Sequence, residues 1–270
     1  MAHFSLKSVS AHFYTKLLSA VGLSLALSAA SQLAHADHHE GAAHAHAHAG
    51  HTATAQAGKE DVVLYEAGVH YEELLVPSEP ADSDTVEVVE MFSYGCIHCF
   101  NFDAAVHEWS LRQDEGVTFT RIPAIFSQAW ALLAQTYYTA EALGVTDKTH
   151  DALFEAIHTH KANLGTPAAM AALFKQAADV EQADFQKAFD SFSVRSKLQQ
   201  ADSRARQFRL QSVPTMVVNG KYKTSSSMAG TNIGMLQVVD FLVKKEQAAK
   251  MAAESTQQTV GKAVEKALEK

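Results

Sequence analysis

The sequence predicts an α/β fold with an inserted, all-helical subdomain. Three observations carry that prediction. A β-branched, apolar run at 85–92 leads through a short turn into a segment free of Gly and Pro, and then into a second strand-like run at 117–122. Residues 127–210 are helical in spacing throughout, with Gly144, Gly165 and Pro167 as punctuation. Strand character then returns at 212–218 and stops at Asn219-Gly220.

The elements follow in chain order. Residues 1–36 read as an export signal: Lys7 and Lys16 give a positive start, 17–30 an apolar stretch, and Ala34-His35-Ala36 a small-x-small cleavage site. A retained anchor is the competing reading, although 17–30 is shorter than the roughly 20 residues that span a bilayer. Residues 37–58 are rich in Ala, His and Gly with no large apolar side chain, as expected of a disordered lead segment. Its histidines His38, His39, His44, His46, His48 and His51 make either a solvated linker or a surface that captures zinc, copper or nickel.

The α/β part occupies 59–126. Strand 85–92 reads as buried, Cys96 follows the Ser93-Tyr94-Gly95 turn, and 96–113 has helical spacing, so strand, helix and strand make a βαβ unit. In the insertion, 127–210, helices are expected at 128–143, 147–160, 167–179 and 181–192, with a long one through Leu210. Thr166 caps the helix that starts at Pro167. The α/β part resumes over 211–250, with Asn219-Gly220 as a hairpin turn and a closing helix at 232–250. The charged tail 251–270 reads as an exposed or frayed helix, with partner binding as the alternative.

Composition narrows the function. The 270 residues, 47% hydrophobic, bury a substantial core, and one compact unit of roughly 190 residues is expected. A net charge of −8 without a basic run excludes the electrostatic footprint of a nucleic-acid-binding protein. Both cysteines of the chain lie in one motif, Cys96-Ile97-His98-Cys99. In an exported protein so short a loop staples little, so chemistry explains the pair better than structure does. A zinc half-site is disfavoured because there is no second cysteine pair.

At a helix start the motif has a physical use. Unspent N–H groups and the helix dipole favour a Cys96 thiolate, while Cys99, one turn further in, can close the disulfide. A stabilised thiolate is a good leaving group, so the oxidised pair donates readily. His98 can add positive charge near Cys96, or stand exposed without a role. Pro214 after Val213 sits awkwardly at a strand start, and a cis peptide bond would account for it.

The runs EVVEMFSYGCIHCFNFD and SVPTMVVNGKY, the helical stretch between them, and the segments YEAGVHY and EALGV together resemble the DsbA family of periplasmic disulfide donors. The resemblance implies a thioredoxin-like fold with an inserted all-helical subdomain and no cofactor beyond the redox-active Cys96–Cys99 disulfide. It implies that Cys96 is the nucleophile, Cys99 its resolving partner and His98 a thiolate stabiliser, with Val213-Pro214 the cis-proline loop facing them. Glu90 matches the family's buried acidic residue, and Arg121 stands where a basic partner is often found. These two either tune proton transfer or form a plain buried ion pair. The family's usual Pro within the motif is Ile97 here, which leaves the oxidising strength open. The implied partners are reduced, unfolded exported proteins and a membrane quinone oxidoreductase like DsbB, with the chain acting as a monomer in the periplasm. A disulfide isomerase or reductase of the same fold, and a periplasmic metal-binding or chaperone protein using the His tract, are the competing functions. DsbC-like isomerases carry a folded dimerisation domain where this chain has only the His tract.

Overall fold

The computed structural model describes residues 65–75, 77 and 84–268. The signal segment and the His tract lie outside them. The chain enters the sheet at β1 (Glu72–Glu73) and continues through β2 (Val86–Phe92), α1 (Ile97–Leu111) and β3 (Val117–Pro123). The insertion is α2 (Gln128–Leu143), α3 (Thr146–His158), α4 (Pro167–Ala178), α5 (Gln182–Phe189) and α6 (Phe192–Gln207). Strands β4 (Thr215–Val218) and β5 (Tyr222–Ser225), the short α7 (Ser226–Ala229) and α8 (Asn232–Leu268) complete it.

The sheet order is β1-β5-β4-β2-β3, with β2 and β3 parallel and the other neighbours antiparallel. Every residue of β2 is buried, as its near-continuous apolar run requires of a strand covered on both faces. Alternation along it separates two cores. Val89 and Met91, with Val217, face the insertion and the cysteines, whereas Val86 and Val88, with Met216 and Val218, face α1 and α8. In α1 the stripe Cys99, Phe102, Val106 and Trp109 repeats at helical spacing and is buried. Each such side chain contributes about 1.5–3 kcal/mol by leaving water. The indole N–H of Trp109 donates to Asp240 at 2.7 Å and ties α1 to α8.

Local signals place most boundaries. Thr166 accepts a hydrogen bond from the Ala169 N–H and Pro167 takes the first helical turn, as expected. Asn219 and Gly220 both have positive φ, 52° and 61°, in the turn joining β4 to β5. Three expectations needed adjustment. The helix expected over 181–192 stops at Phe189, because the Ser191 side chain caps a new helix by accepting from the Val194 N–H. The closing helix expected over 232–250 continues to Leu268 as one helix of 37 residues, since nothing in the Ala-rich segment after 250 interrupts it. The strand expected from 212 begins at Thr215, after the cis Val213–Pro214 bond. The edge strand β1 was not foreseen.

Candidate active site

Cys96 occupies the N-cap position of α1 in an extended conformation, and no side chain caps the helix. The first turn also holds no acidic residue, so its N–H groups and the positive end of the helix are left for a negative charge on the cap. Both cysteines are free thiols, so the pair is in its dithiol form. Cys96 retains 9% exposure and Cys99 none.

That difference in place divides their chemistry. The Cys96 thiol is lowered to about 6, first by a hydrogen bond from Cys99, then by the N–H groups of Cys99 and His98 and the charge of His98, against the cost of burial. His98 itself points outward and is exposed. Burial drives the Cys99 thiol far above the usual range, with Cys96 and Glu90 adding to the effect. Cys96 is thus held as a thiolate at neutral pH and Cys99 as a thiol. Across from Cys96, the carbonyl oxygen of Val213 lies 3.5 Å from its sulfur, so the cis Val213–Pro214 loop faces the pair.

Glu90, 1% exposed, lies on β2. Burial pushes its carboxyl up to about 7 against the pull of Arg121, whose Nε donates to it at 2.9 Å. The other end of the guanidinium is shared: Nη2 donates to Asp103 at 3.1 Å. Asp103 is held below the usual carboxylate range, since the hydrogen bond and charge of His150 and the charge of Arg121 outweigh its burial. His150 Nε2 lies 2.9 Å from Asp103, and its Nδ1 lies 2.9 Å from the hydroxyl of Tyr94. Asp103, Arg121 and His150 of this network line one wall of a groove of about 530 Å³ between α1 and α3.

The insertion reaches the site through α2 as well. A Cβ at Gly95 would stand 2.8 Å from the indole nitrogen of Trp130, so only glycine lets α2 approach the residue before Cys96. Trp130 stacks on Phe126, their ring centres 5.4 Å apart, and Phe126 and Ile97 are 48% and 45% exposed. An apolar rim therefore borders the cysteine pair.

Of the residues singled out from the sequence, Cys96, Cys99, His98, Val213, Pro214, Glu90 and Arg121 gather in one place. Tyr94, Asp103, His150, Gly95 and Trp130 were missed. The six tract histidines lie outside the described residues. Among the described residues, no group of three or more His, Cys, Asp or Glu side chains is arranged to hold a metal ion.

A family profile described as a DSBA-like thioredoxin domain matches residues 108–237, downstream of the cysteine pair. The chain is 39% identical over 182 residues to the thiol:disulfide interchange protein DsbA of Azotobacter vinelandii, spanning 67% of this chain and 85% of that protein. A DsbA of Burkholderia cepacia is 37% identical over 171 residues, spanning 63% and 80%. Among solved structures, Pseudomonas aeruginosa DsbA superposes with a TM-score of 0.67 at 37% identity, covering 69% of this chain and 97% of that one. The oxidoreductase DsbA from Xylella fastidiosa gives 0.64 at 34% identity, covering 68% and 99%.

Proposed function

Because the chain belongs to the DsbA family of thiol:disulfide interchange proteins, we propose that Cys96 is the sulfur that exchanges with clients and Cys99 the one that closes and reopens the pair. The family's chemistry is dithiol–disulfide exchange through a redox-active disulfide, without a cofactor. The observation that carries the assignment is the asymmetry of the pair. Cys96 sits on an uncapped helix start with a depressed thiol, and Cys99 is wholly buried with a raised one.

From the oxidised pair, a client thiolate attacks Cys96 Sγ. The Cys96–Cys99 bond breaks, a mixed disulfide forms, and its electron pair stays on Cys99, which takes up a proton. Glu90, with a carboxyl at about 7, is placed to supply that proton and to accept it in the reverse direction. The client's second thiolate then attacks its own sulfur in the mixed disulfide and expels Cys96 as a thiolate. The client is oxidised by two electrons and the pair is reduced to the dithiol. Low basicity at Cys96 makes it a good leaving group in that last step, which favours donation over reduction. His98 adds positive charge near Cys96, and the Val213–Pro214 loop presents backbone beside the mixed disulfide.

Each turnover consumes the disulfide, so a two-electron acceptor must restore it. We assign that role to a membrane quinone oxidoreductase resembling DsbB, and the clients to reduced, unfolded exported proteins. We assign the reaction to the periplasm, a reading that the signal-like segment 1–36 supports. Among the described residues, no helix is long and apolar enough to cross a membrane.

Cysteine replacement tests the assignment. Cys96→Ser is expected to abolish oxidation of a reduced, unfolded substrate. Cys99→Ser is expected to accumulate a substrate adduct through Cys96, visible as a mass shift that dithiothreitol removes. Activity retained by Cys96→Ser, or adducts formed through Cys99 instead, would reverse the roles.

A further inference from the structure

From the contacts of Tyr94 we propose that His150 and His158, both on α3 of the insertion, are positioning residues that hold the loop ahead of Cys96. The inference rests on Cys96 being the exchanging thiol. Residues 150, 154 and 158 recur every four positions and so share one face of the helix. All three meet Tyr94. His150 Nδ1 lies 2.9 Å from its hydroxyl, Phe154 packs edge-on against its ring at 4.9 Å, and His158 Nε2 lies 2.8 Å from its backbone carbonyl. The ring of His158 also stacks on Phe100, with centroids 5.2 Å apart and planes 17° from parallel. One face of α3 therefore grips the chain two residues before Cys96 and one residue after Cys99.

The partners dictate where the protons are. A carbonyl oxygen only accepts, so His158 carries its hydrogen on Nε2 and donates it to Tyr94. Asp103 is an acceptor too, so His150 donates from Nε2. Its Nδ1 meets the Tyr94 hydroxyl at 2.9 Å, one of the two donating to the other. That phenol is buried at 1% exposure and needs such a partner. The charged groups about the two rings are Asp103 of α1 and Arg121 of β3 near His150, the groove-facing Asp151 and Glu155 of α3, and Lys161, whose Nζ donates to the carbonyl of His158 at 2.6 Å.

The consequence falls on the Cys96 sulfur. Its backbone N–H closes the turn onto the Ser93 carbonyl at 3.0 Å, and the Ser93 hydroxyl accepts from the Gly95 N–H at 3.2 Å. The carbonyl of Tyr94 is taken by His158 instead, which sets the orientation of the Tyr94–Gly95 peptide and with it the approach of Cys96 to the first turn of α1. Freed from that hold, the sulfur drifts from the N–H groups that stabilise its charge.

Two variants of the full reduced protein separate the hydrogen bond from the stacking. His158→Phe keeps an aromatic ring against Phe100 and loses the donor, whereas His158→Gln keeps an N–H donor and loses the ring. The readout is the ultraviolet absorbance of the Cys96 thiolate against pH, with the glutathione equilibrium of the pair as a second measure. His158→Phe is expected to titrate at least half a pH unit above the wild type and to shift the glutathione equilibrium about three-fold toward the disulfide, while His158→Gln stays near the wild type. A wild-type midpoint for His158→Phe, or a shift in His158→Gln alone, overturns the proposal. A wild-type protein without a low-pH thiolate would instead overturn the assignment of Cys96, before either variant is compared.

Discussion

Two glutamates of β2, Glu87 and Glu90, are buried to 2% and 1% exposure on opposite faces of the same strand, each against an arginine. Glu87 faces the insertion. Both its oxygens are taken by Arg204 of α6, at 2.9 and 2.6 Å, and that guanidinium lies over the ring of Phe208 at 5.0 Å. Glu90 receives one N–H from Arg121, whose other end is drawn to Asp103. A fully committed, bidentate arginine makes the first carboxylate a latch between sheet and insertion. Burial pushes the second carboxyl up to about 7, and an arginine divided with Asp103 offsets only part of that. Burial of a carboxylate alone is thus a poor sign of function; how completely its counter-charge is spent tells the two apart.

The largest effect should come from breaking the latch. Glu87→Leu leaves Arg204 without its carboxylate in a largely buried setting and should cost about 3–5 kcal/mol. That loss reads as a thermal midpoint lower by roughly 10 °C, with the Cys96 titration unchanged. Glu90→Gln should do the opposite. A carboxyl raised from about 4.5 to about 7 contributes stability that is present below pH 4.5 and lost as pH rises through 7, a penalty near 3 kcal/mol at neutral pH. Removing it should raise stability at pH 7, less what Arg121 loses, and change little at pH 4, while slowing single-turnover oxidation. Loss of stability in both variants at pH 7 would erase the distinction between the two sites.

A smaller effect should separate the two redox forms. A Cys96 thiol lowered to about 6, against roughly 8.5 in the unfolded chain, stabilises the reduced form above the unfolded value, and the gain is lost as pH falls through 6. At pH 7 it amounts to about 1.4 kcal/mol. Closing the four-residue loop favours the oxidised form by about 2 kcal/mol, so the two forms should melt together near pH 7.5. Below that the oxidised form should melt higher, and above it the reduced form. Melting scans of both forms from pH 5 to 8 check the crossing; an oxidised form that melts higher throughout would mark a structural disulfide. The smallest effect is none: deleting residues 37–58, which precede the described fold and carry no large apolar residue, should leave transfer to an unfolded substrate unchanged. A slower rate in that deletion would give the tract a part in exchange.

The fold was legible where its signals are local. The β2–α1–β3 unit announced itself by composition and by the absence of Gly and Pro, and the Thr166–Pro167 cap and the Asn219-Gly220 turn by residue type. β1 was not legible, because two residues show no period. The cysteine pair was legible because it is contiguous. Its supports were not: His150 lies 47 residues from Asp103, and His158 lies 64 from Tyr94. Arg204 lies 117 from Glu87, and no pattern in a single sequence links positions that only the folded insertion brings together. Gly95 carried a signal in retrospect, since a glycine directly before a helix-starting cysteine marks a close approach, here that of Trp130.

The central claim is that the charge on Cys96 makes the pair a disulfide donor, and its equilibrium with glutathione tests that most directly. Equilibrated in mixtures of reduced and oxidised glutathione, the protein should move several-fold toward the dithiol for each pH unit between about 6.5 and 8, because the Cys96 thiolate forms across that range. A pair whose equilibrium stays fixed over that range would contradict the claim and assign the site to structure.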